Sequence, residues 1–447
     1  MDLLLGIGIF LSAVAACMVL GISMAWALLA GFFCFFLVGL RRGFSVRELL
    51  DMALRGAKTS IAVQCIMALI GLLTALWRAS GTIAFFVSVG VELITPHSFV
   101  LIAFLLPAVL CLAFGSSFGV AGTAGVILMS IARGGGTNLA VAAGAIVSGS
   151  YVGERLSPAS SSAALTAAVT GVDQRELQRR MWCTTLLPMA ITLALYGGLS
   201  LAFPVRSVDG GILSALGAEF QLTWPAVLPA AVLIILPWFR VNAAWSIGIS
   251  CALAAGVAVL VQGIPLGELL KVCVLGYTAH QPQLVEILSG GGLISMVSVV
   301  LIMFFSCAYS GLFTGTGMLI PYQQRVGRMA DRIGLYPTQM LLALGCAALF
   351  CNQAVTTVMG CELMKDRYRE RKIPAMDMAV ALGDTALHMP GLIPWCIACS
   401  VPLASIGSGL EAVPFAVYLY LVPLCHWVTC RDSRGMKLPG EGEKNLV

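Results

Sequence analysis

The sequence predicts an all-α polytopic membrane protein, an inverted-repeat secondary transporter with broken or re-entrant helices and about ten to thirteen spans. Three observations predict it. Hydrophobic residues make up 59% of the 447-residue chain and charged residues only 11%, where a soluble domain carries about 25% charged residues. Apolar runs recur along the chain, with no polar linker long enough to hold a separate domain. Two stretches rich in glycine, proline and hydroxyl residues, each with a carboxylate, interrupt that apolar background.

The runs come first. They cover Leu3 to about Leu20, then Trp26–Leu40, Ile61–Trp77, Phe99–Phe114, Leu186–Phe203, Ala226–Trp238, Trp245–Val261, Leu293–Leu312, Gln339–Leu349, Leu392–Ile406 and Val413–Val428. Backbone groups in hydrocarbon must be hydrogen-bonded internally, so a span is a helix or a strand of a closed barrel. Barrel strands alternate in polarity over about ten residues. These runs are apolar all round, which selects helices. The whole of residues 1–430 reads as one transmembrane domain, followed by a polar tail, Arg431–Val447. The N-terminal segment starts Met1-Asp2 without a basic region, so it reads as a retained first helix and not as a cleaved signal.

Basic residues orient the helices. Arg41, Arg42, Arg47, Arg55 and Lys58 follow the second run; Arg175, Arg179 and Arg180, then Arg325, Arg328 and Arg332, then Lys365, Arg367, Arg369, Arg371 and Lys372 mark further cytoplasmic loops. Both termini are expected on the cytoplasmic side. The net charge of +5 reflects these loops. No basic patch interleaved with aromatic residues is present, so the partner is the lipid bilayer and no nucleic acid is expected. The fifteen cysteines lie scattered in apolar sequence as small hydrophobes. Cys396 and Cys399 form a C-x-x-C without the βαβ context of a redox motif.

An internal repeat locates the site. Gly81 in Ala-Ser-Gly-Thr-Ile corresponds to Gly317 in Gly-Thr-Gly-Met-Leu, and Ser117 in Gly-Ser-Ser-Phe-Gly corresponds at the same interval to Gln353 in Cys-Asn-Gln-Ala. Glu154 and Asp384 follow at nearly that interval. Loops in corresponding places differ in basicity, as expected of copies with opposite orientation. The repeats cover about residues 61–203 and about residues 293–429.

The first constellation is Gly115–Gly125 with Ser148–Ser162; the second is Cys351–Thr357 with Gly383–Trp395. Glycine and proline can break a helix at membrane depth, freeing carbonyls that act with hydroxyls as hard oxygen ligands for an alkali cation. Candidate ion- or substrate-binding residues are Ser116, Ser117, Thr123, Glu154, Ser157, Ser160 and Ser161 in the first half, and Asn352, Gln353, Thr356, Asp384 and Thr385 in the second. A carboxylate inside a span is costly and points to function, so Glu154 and Asp384 are the candidate sodium ligands. Arg155 beside Glu154 allows a structural ion pair there instead; Asp384 has no basic neighbour in its own segment. His388 follows Asp384 by four residues and, on a continuous helix, shares its face as a proton relay. Gly119, Gly122 and Gly125 also read as ordinary packing residues.

Together these stretches resemble the NhaC-type sodium/proton antiporter family of the wider ion transporter superfamily. Members carry G-T-S-W-G-T-x-G-T-x-G and then A-G-A-I-x-S-G-A-Y-F-G-D-K-x-S-P-L-S-D-T-T-N; Gly115–Gly125 and Ala143–Ser162 fit that register. In the second half D-Q-Y, L-E-D-S-G-T and S-P-L-I-P-W-N fall on Asn352-Gln353, Leu382-Gly383-Asp384 and Pro390–Trp395. The resemblance spans about Trp77 to Gly407. It departs where the family's D-T-T-N meets Ser161, Ser162, Ala163 and Ala164, where Glu precedes the aspartate (here Gly383), and where Asn follows Pro-Trp (here Cys396); Glu154 stands in place of Asp. It implies cation-coupled exchange across a bacterial inner membrane, with Na+ or H+ as coupling ions and no other cofactor. It also implies a scaffold region and a moving region in a homodimer. Coupled transport of an organic acid or amino acid is the alternative on the same scaffold. Leu382-Gly383-Asp384 matches only part of an intramembrane aspartyl protease motif and has no Tyr-Asp partner, so no enzyme is expected.

Overall fold

The computed structural model describes residues 2–429, apart from residues 21, 59–60, 94, 96, 159, 206–209, 240, 242 and 319–322. The polar tail expected to be cytoplasmic lies outside the described residues. The described chain is helical, with one isolated antiparallel bridge between Tyr277 and Gly290. Among the described residues, three helices are long and apolar enough to cross a membrane singly: Ser117–Gly134, Gln174–Ala202 and Leu293–Thr316. Two bent pairs qualify as broken spans, one turning by 67° at Ser80–Gly81 and one by 55° after Leu392. Shorter apolar helices fill the rest of the bundle.

Two helix pairs meet in the middle of the molecule. In the first, Phe99–Phe114 ends on Gly115 in the left-handed conformation (φ 69°), and Ser116 caps the helix that begins at Ser117. That second arm carries a π-helical turn at Ala121–Gly125 before continuing to Gly134. In the second pair, Leu335–Phe350 ends on Cys351 (φ 52°), and Asn352 caps Gln353–Glu370. Each pair is followed by an interrupted helix. Leu139–Leu156 breaks before Ser161–Thr170, and Ala375–Thr385 breaks before Ile397–Ser405.

The pairs enter from opposite ends of the bundle. The long helix Gln174–Ala202 spans between those ends. Near its C-terminus, Ser200 Oγ accepts from Val100 N–H (3.2 Å), and Thr137 donates to Phe203 O (2.9 Å). Arg133 in turn donates to Gly407 O (2.6 Å). Near its N-terminus, Arg180 lies 3.7 Å from Asp377, and Arg371 reaches Asp331 at 3.1 Å. The open end of the first pair is therefore at one end of the bundle and that of the second at the other.

Small residues set the closest crossings. A Cβ at Gly56 would lie 2.2 Å from Cys307 O, and one at Gly311 would lie 2.4 Å from Met52 O. The amphipathic helix Val46–Lys58 thereby packs directly on the helix Val297–Thr316 and buries Leu49, Ala53 and Ala57. Gly122 and Gly125 act in the same way: their Cβ atoms would meet Ile70 at 2.7 Å and Ile406 at 2.9 Å. Gly119 differs, with its nearest neighbour at 3.8 Å.

Candidate functional site

The tips of the two pairs and the two helix breaks converge on two adjoining polar networks. Glu154 is the centre of the first. It sits in the last turn of Leu139–Leu156 and is buried. One carboxylate oxygen accepts from Ser117 N–H (2.9 Å) and Ser117 Oγ–H (2.8 Å), and the other from Ser162 Oγ–H (2.6 Å). Ser162 Oγ also lies 3.3 Å from Gln353 Oε1, while Gln353 Nε2 donates to Leu387 O (2.7 Å). One tip, the other tip and both breaks thus supply atoms around one carboxylate. Among the described residues no cationic side chain lies within ion-pair distance of Glu154. The surrounding groups are hydroxyls, a carboxamide oxygen and a main-chain carbonyl, the hard oxygen donors that suit a small cation.

Asp384 is the centre of the second network and is fully buried. One of its oxygens is paired with Arg155 and the other is bonded to His426 Nδ1. Arg155 also donates to Thr184 and Thr185 of the long helix. His426 stacks on Tyr336 with ring centroids 4.4 Å apart and planes 6° from parallel. The two threonines take up Nη1 and Nη2 of Arg155, while its Nε is buried without an acceptor.

These contacts correct two readings of the sequence. Arg155 does not neutralise its neighbour Glu154. Consecutive side chains on a helix point about 100° apart, and the guanidinium crosses to Asp384 instead. Asp384, which has no base in its own segment, therefore has two partners from distant ones. The continuous helix expected to put His388 on the face of Asp384 is not present, because the helix ends at Thr385. The His388 ring turns back, with Nδ1 3.3 Å from Gly383 O and its centroid 5.4 Å from that of Tyr418.

The other candidates divide by what their hydroxyls or amides do. Ser116, Ser160 and Asn352 are helix caps, accepting from Gly119 N–H, Ala163 N–H and Ala354 N–H. Ser160 also donates to Glu154 O, tying the break to the site. Thr123, Thr356 and Thr385 donate within their own helices to Gly119 O, Asn352 O and Ala381 O. The Ser157 carbonyl accepts from Gln178 Nε2. Ser161 is exposed on the first turn of its helix, and its neighbour Ser162 makes the contact with Glu154. Sequence reasoning missed His426, Thr184 and Thr185. For His426 a signal existed, an ionisable ring inside the last apolar run; for the threonines none did.

The sequence matches the family model described as Na+/H+ antiporter family over residues 3–200 and 176–425. It is 26% identical over 408 residues to a Malate-2H(+)/Na(+)-lactate antiporter of Bacillus subtilis (strain 168), covering 88% of this chain and 86% of that one. It is 29% identical over 371 residues to the Arginine/ornithine antiporter ArcD of Halobacterium salinarum, covering 79% and 75%. To the Na(+)/H(+) antiporter NhaC of Alkalihalophilus pseudofirmus it is 25% identical over 377 residues, covering 82% and 81%. With the fold and these matches together, the chain belongs to the Na+/H+ antiporter family as a divergent, multi-pass member of the NhaC type.

Proposed function

We propose that the protein exchanges a small alkali cation, sodium first, for protons, and that Glu154 is the residue at which the two compete. The observation that carries this reading is a buried carboxylate without a cationic partner, surrounded by oxygen donors from both helix tips. A carboxylate in that setting is stable when it holds a cation or a proton, and costly when it holds neither. Occupancy by one excludes the other, which is the physical basis of exchange. Asp384 does not serve this purpose, because Arg155 and His426 already neutralise it. It holds Arg155, and with it the end of the Glu154 helix, at the break after Thr385.

The oxygens around Glu154 belong to elements that enter from opposite ends, so displacement of either pair opens the site toward its own end. The two pairs with their interrupted helices are the two copies of an inverted repeat. Basic loops favour a bacterial inner membrane with both termini cytoplasmic, and the family resemblance favours a homodimer with a fixed and a moving region. The coupling ions serve without a further cofactor.

Reconstitution in vesicles with a trapped pH dye tests the proposal. Pulses of sodium, lithium and potassium are applied in turn, and sodium is expected to drive proton movement that Glu154→Gln removes while still inserting. Proton movement that survives in Glu154→Gln, or that no cation drives at any pH, overturns it.

A further inference from the structure

The end of the bundle marked by the contacts of Arg180 with Asp377 and of Arg371 with Asp331 also carries the helix Gln323–Ile333. Its inner side, Val326, Gly327 and Ala330, is buried. Val326 and Ala330 join an apolar cluster with Leu335, Met364 and Tyr368. Its outer side shows Arg325, Arg328 and Arg332, all exposed. At about 100° per residue the three arginines fall within an arc of about 60°. Met329 and Ile333 follow on one side of that arc, about 40° and 80° beyond Arg325, and Ile333 is 45% exposed. Among the described residues these five line one surface concavity of about 250 Å³.

The acid of this helix does not neutralise the arc. Asp331 is turned to the neighbouring helix Gln353–Glu370 and the residue after it, where Arg367 lies at 3.7 Å and Arg371 at 3.1 Å. On that neighbour Lys365 has Glu362 at 2.7 Å, and Arg367 has Glu370 at 2.8 Å. Among the described residues no carboxylate lies within ion-pair distance of Arg328 or Arg332. The other basic amphipathic helix, Val46–Lys58, differs, because Asp51 pairs with Arg55 one turn along the same helix. A row of positive charge bordered by an exposed apolar strip suits neither bulk water nor hydrocarbon. It suits the boundary between them, where guanidinium groups meet phosphate oxygens and the apolar strip meets acyl chains.

We propose that this face docks an anionic phospholipid of the leaflet it borders, with the headgroup phosphate on Arg328 and Arg332 beside Arg325, and the acyl chains along Met329 and Ile333. Gly334 (φ 96°) alone joins this helix to Leu335–Phe350, so a lipid held here is fastened to the outer end of the second helix pair. The docking face is separate from Glu154 and does not depend on the cation exchange proposed above.

Titration of a fluorescent phosphatidylglycerol into the purified full-length protein in uncharged detergent tests it, with phosphatidylcholine carrying the same label for comparison. Phosphatidylglycerol binds saturably and more than about tenfold tighter than phosphatidylcholine. Arg328→Gln and Arg332→Gln each weaken it about fivefold and together about 25-fold, with the thermal unfolding midpoint unchanged because both side chains are exposed. The double variant Arg47→Gln, Lys58→Gln on the other basic helix leaves the affinity as it was. Equal binding of phosphatidylcholine, no loss in the Arg328 and Arg332 double variant, or the same loss in the Arg47 and Lys58 variant overturns the site. Inorganic phosphate distinguishes the source of the anion: it fails to displace the lipid at equal concentration, and displacement there would make this a free-phosphate site and overturn the lipid assignment. The titration needs no ion flux, so its failure leaves the exchange reading intact, and the reverse also holds.

Discussion

Glu154 and Arg155 are adjacent in sequence and serve different networks: the carboxylate faces Ser117 and Ser162, while the guanidinium closes on Asp384. One helix end thereby carries both a negative group with no counter-charge and a positive group whose counter-charge lies across the bundle. The distinction yields separate expectations for the two residues.

Replacing Glu154 by glutamine keeps an acceptor for Ser117, turns the contact with Ser162 into one in which the amide N–H donates to Oγ, and removes the charge. Sodium-driven proton exchange is expected to fall to the level of protein-free vesicles, because an amide neither carries the exchanged proton nor supplies the charge that holds the cation. The folded protein is retained, as size-exclusion chromatography and thermal unfolding will show. Glu154→Asp recovers part of the exchange, and its dependence on sodium concentration moves to higher values.

Arg155→Met and Asp384→Leu each leave a buried charge without its partner. Each is expected to destabilise the protein by about 3–5 kcal/mol, and the double variant by much less than the sum. The measurement is a double-mutant cycle on thermal unfolding. Additive losses would mean that the pair does not exist in solution.

His426 bonds Asp384 and stacks on Tyr336, whereas His388 is tied to a main-chain carbonyl. The pH profile of exchange measured across pH 5–9 should therefore change in His426→Gln and keep its shape in His388→Gln. An altered profile in His388→Gln alone would reverse the assignment.

Glu219 is the last residue of the short helix Gly210–Glu219, outside the candidate spans. Burial acts to raise its pKa, but donation from His280 N–H, Gln281 N–H and Tyr277 outweighs this and lowers it below the ordinary 4.5. The folded pKa is thus the lower one, so the stabilisation is complete above the unfolded value and fades as pH falls through the folded value. Hydrogen exchange at Tyr277–Gln281 is expected to be slow at neutral pH and to lose protection under acid. In Glu219→Gln that acid-dependent loss disappears.

Much of this was legible in the sequence for a local reason. Runs such as Phe99–Phe114 become helices because hydrocarbon leaves the backbone no other partner, and Ser116 and Asn352 cap helices where small polar residues follow a left-handed turn. The carboxylates at 154 and 384 stood out against apolar surroundings for the same reason. What sequence could not supply was pairing across distance. Arg155 reaches Asp384 and His426 from separate elements, and nothing in spacing along the chain distinguishes that arrangement from a contact between Arg155 and its neighbour. Nor does spacing reveal that the helix carrying Asp384 stops at Thr385, three residues before His388.

The two tips also differ in a way that bears on motion. At the first, Gly115 adopts the left-handed turn at no steric cost and can leave it as freely. At the second, Cys351 holds the same turn against the cost its side chain imposes, about 1 kcal/mol, and its sulfur is fastened by the Tyr309 hydroxyl (2.7 Å) while its carbonyl receives Ile397 N–H (3.0 Å). The turn at the first tip is built like a pivot, held only through Ser117 on Glu154, and that at the second like a latch, so in the exchange proposed above an ion leaving past Cys351 would have a fastened turn to release and one leaving past Gly115 would not.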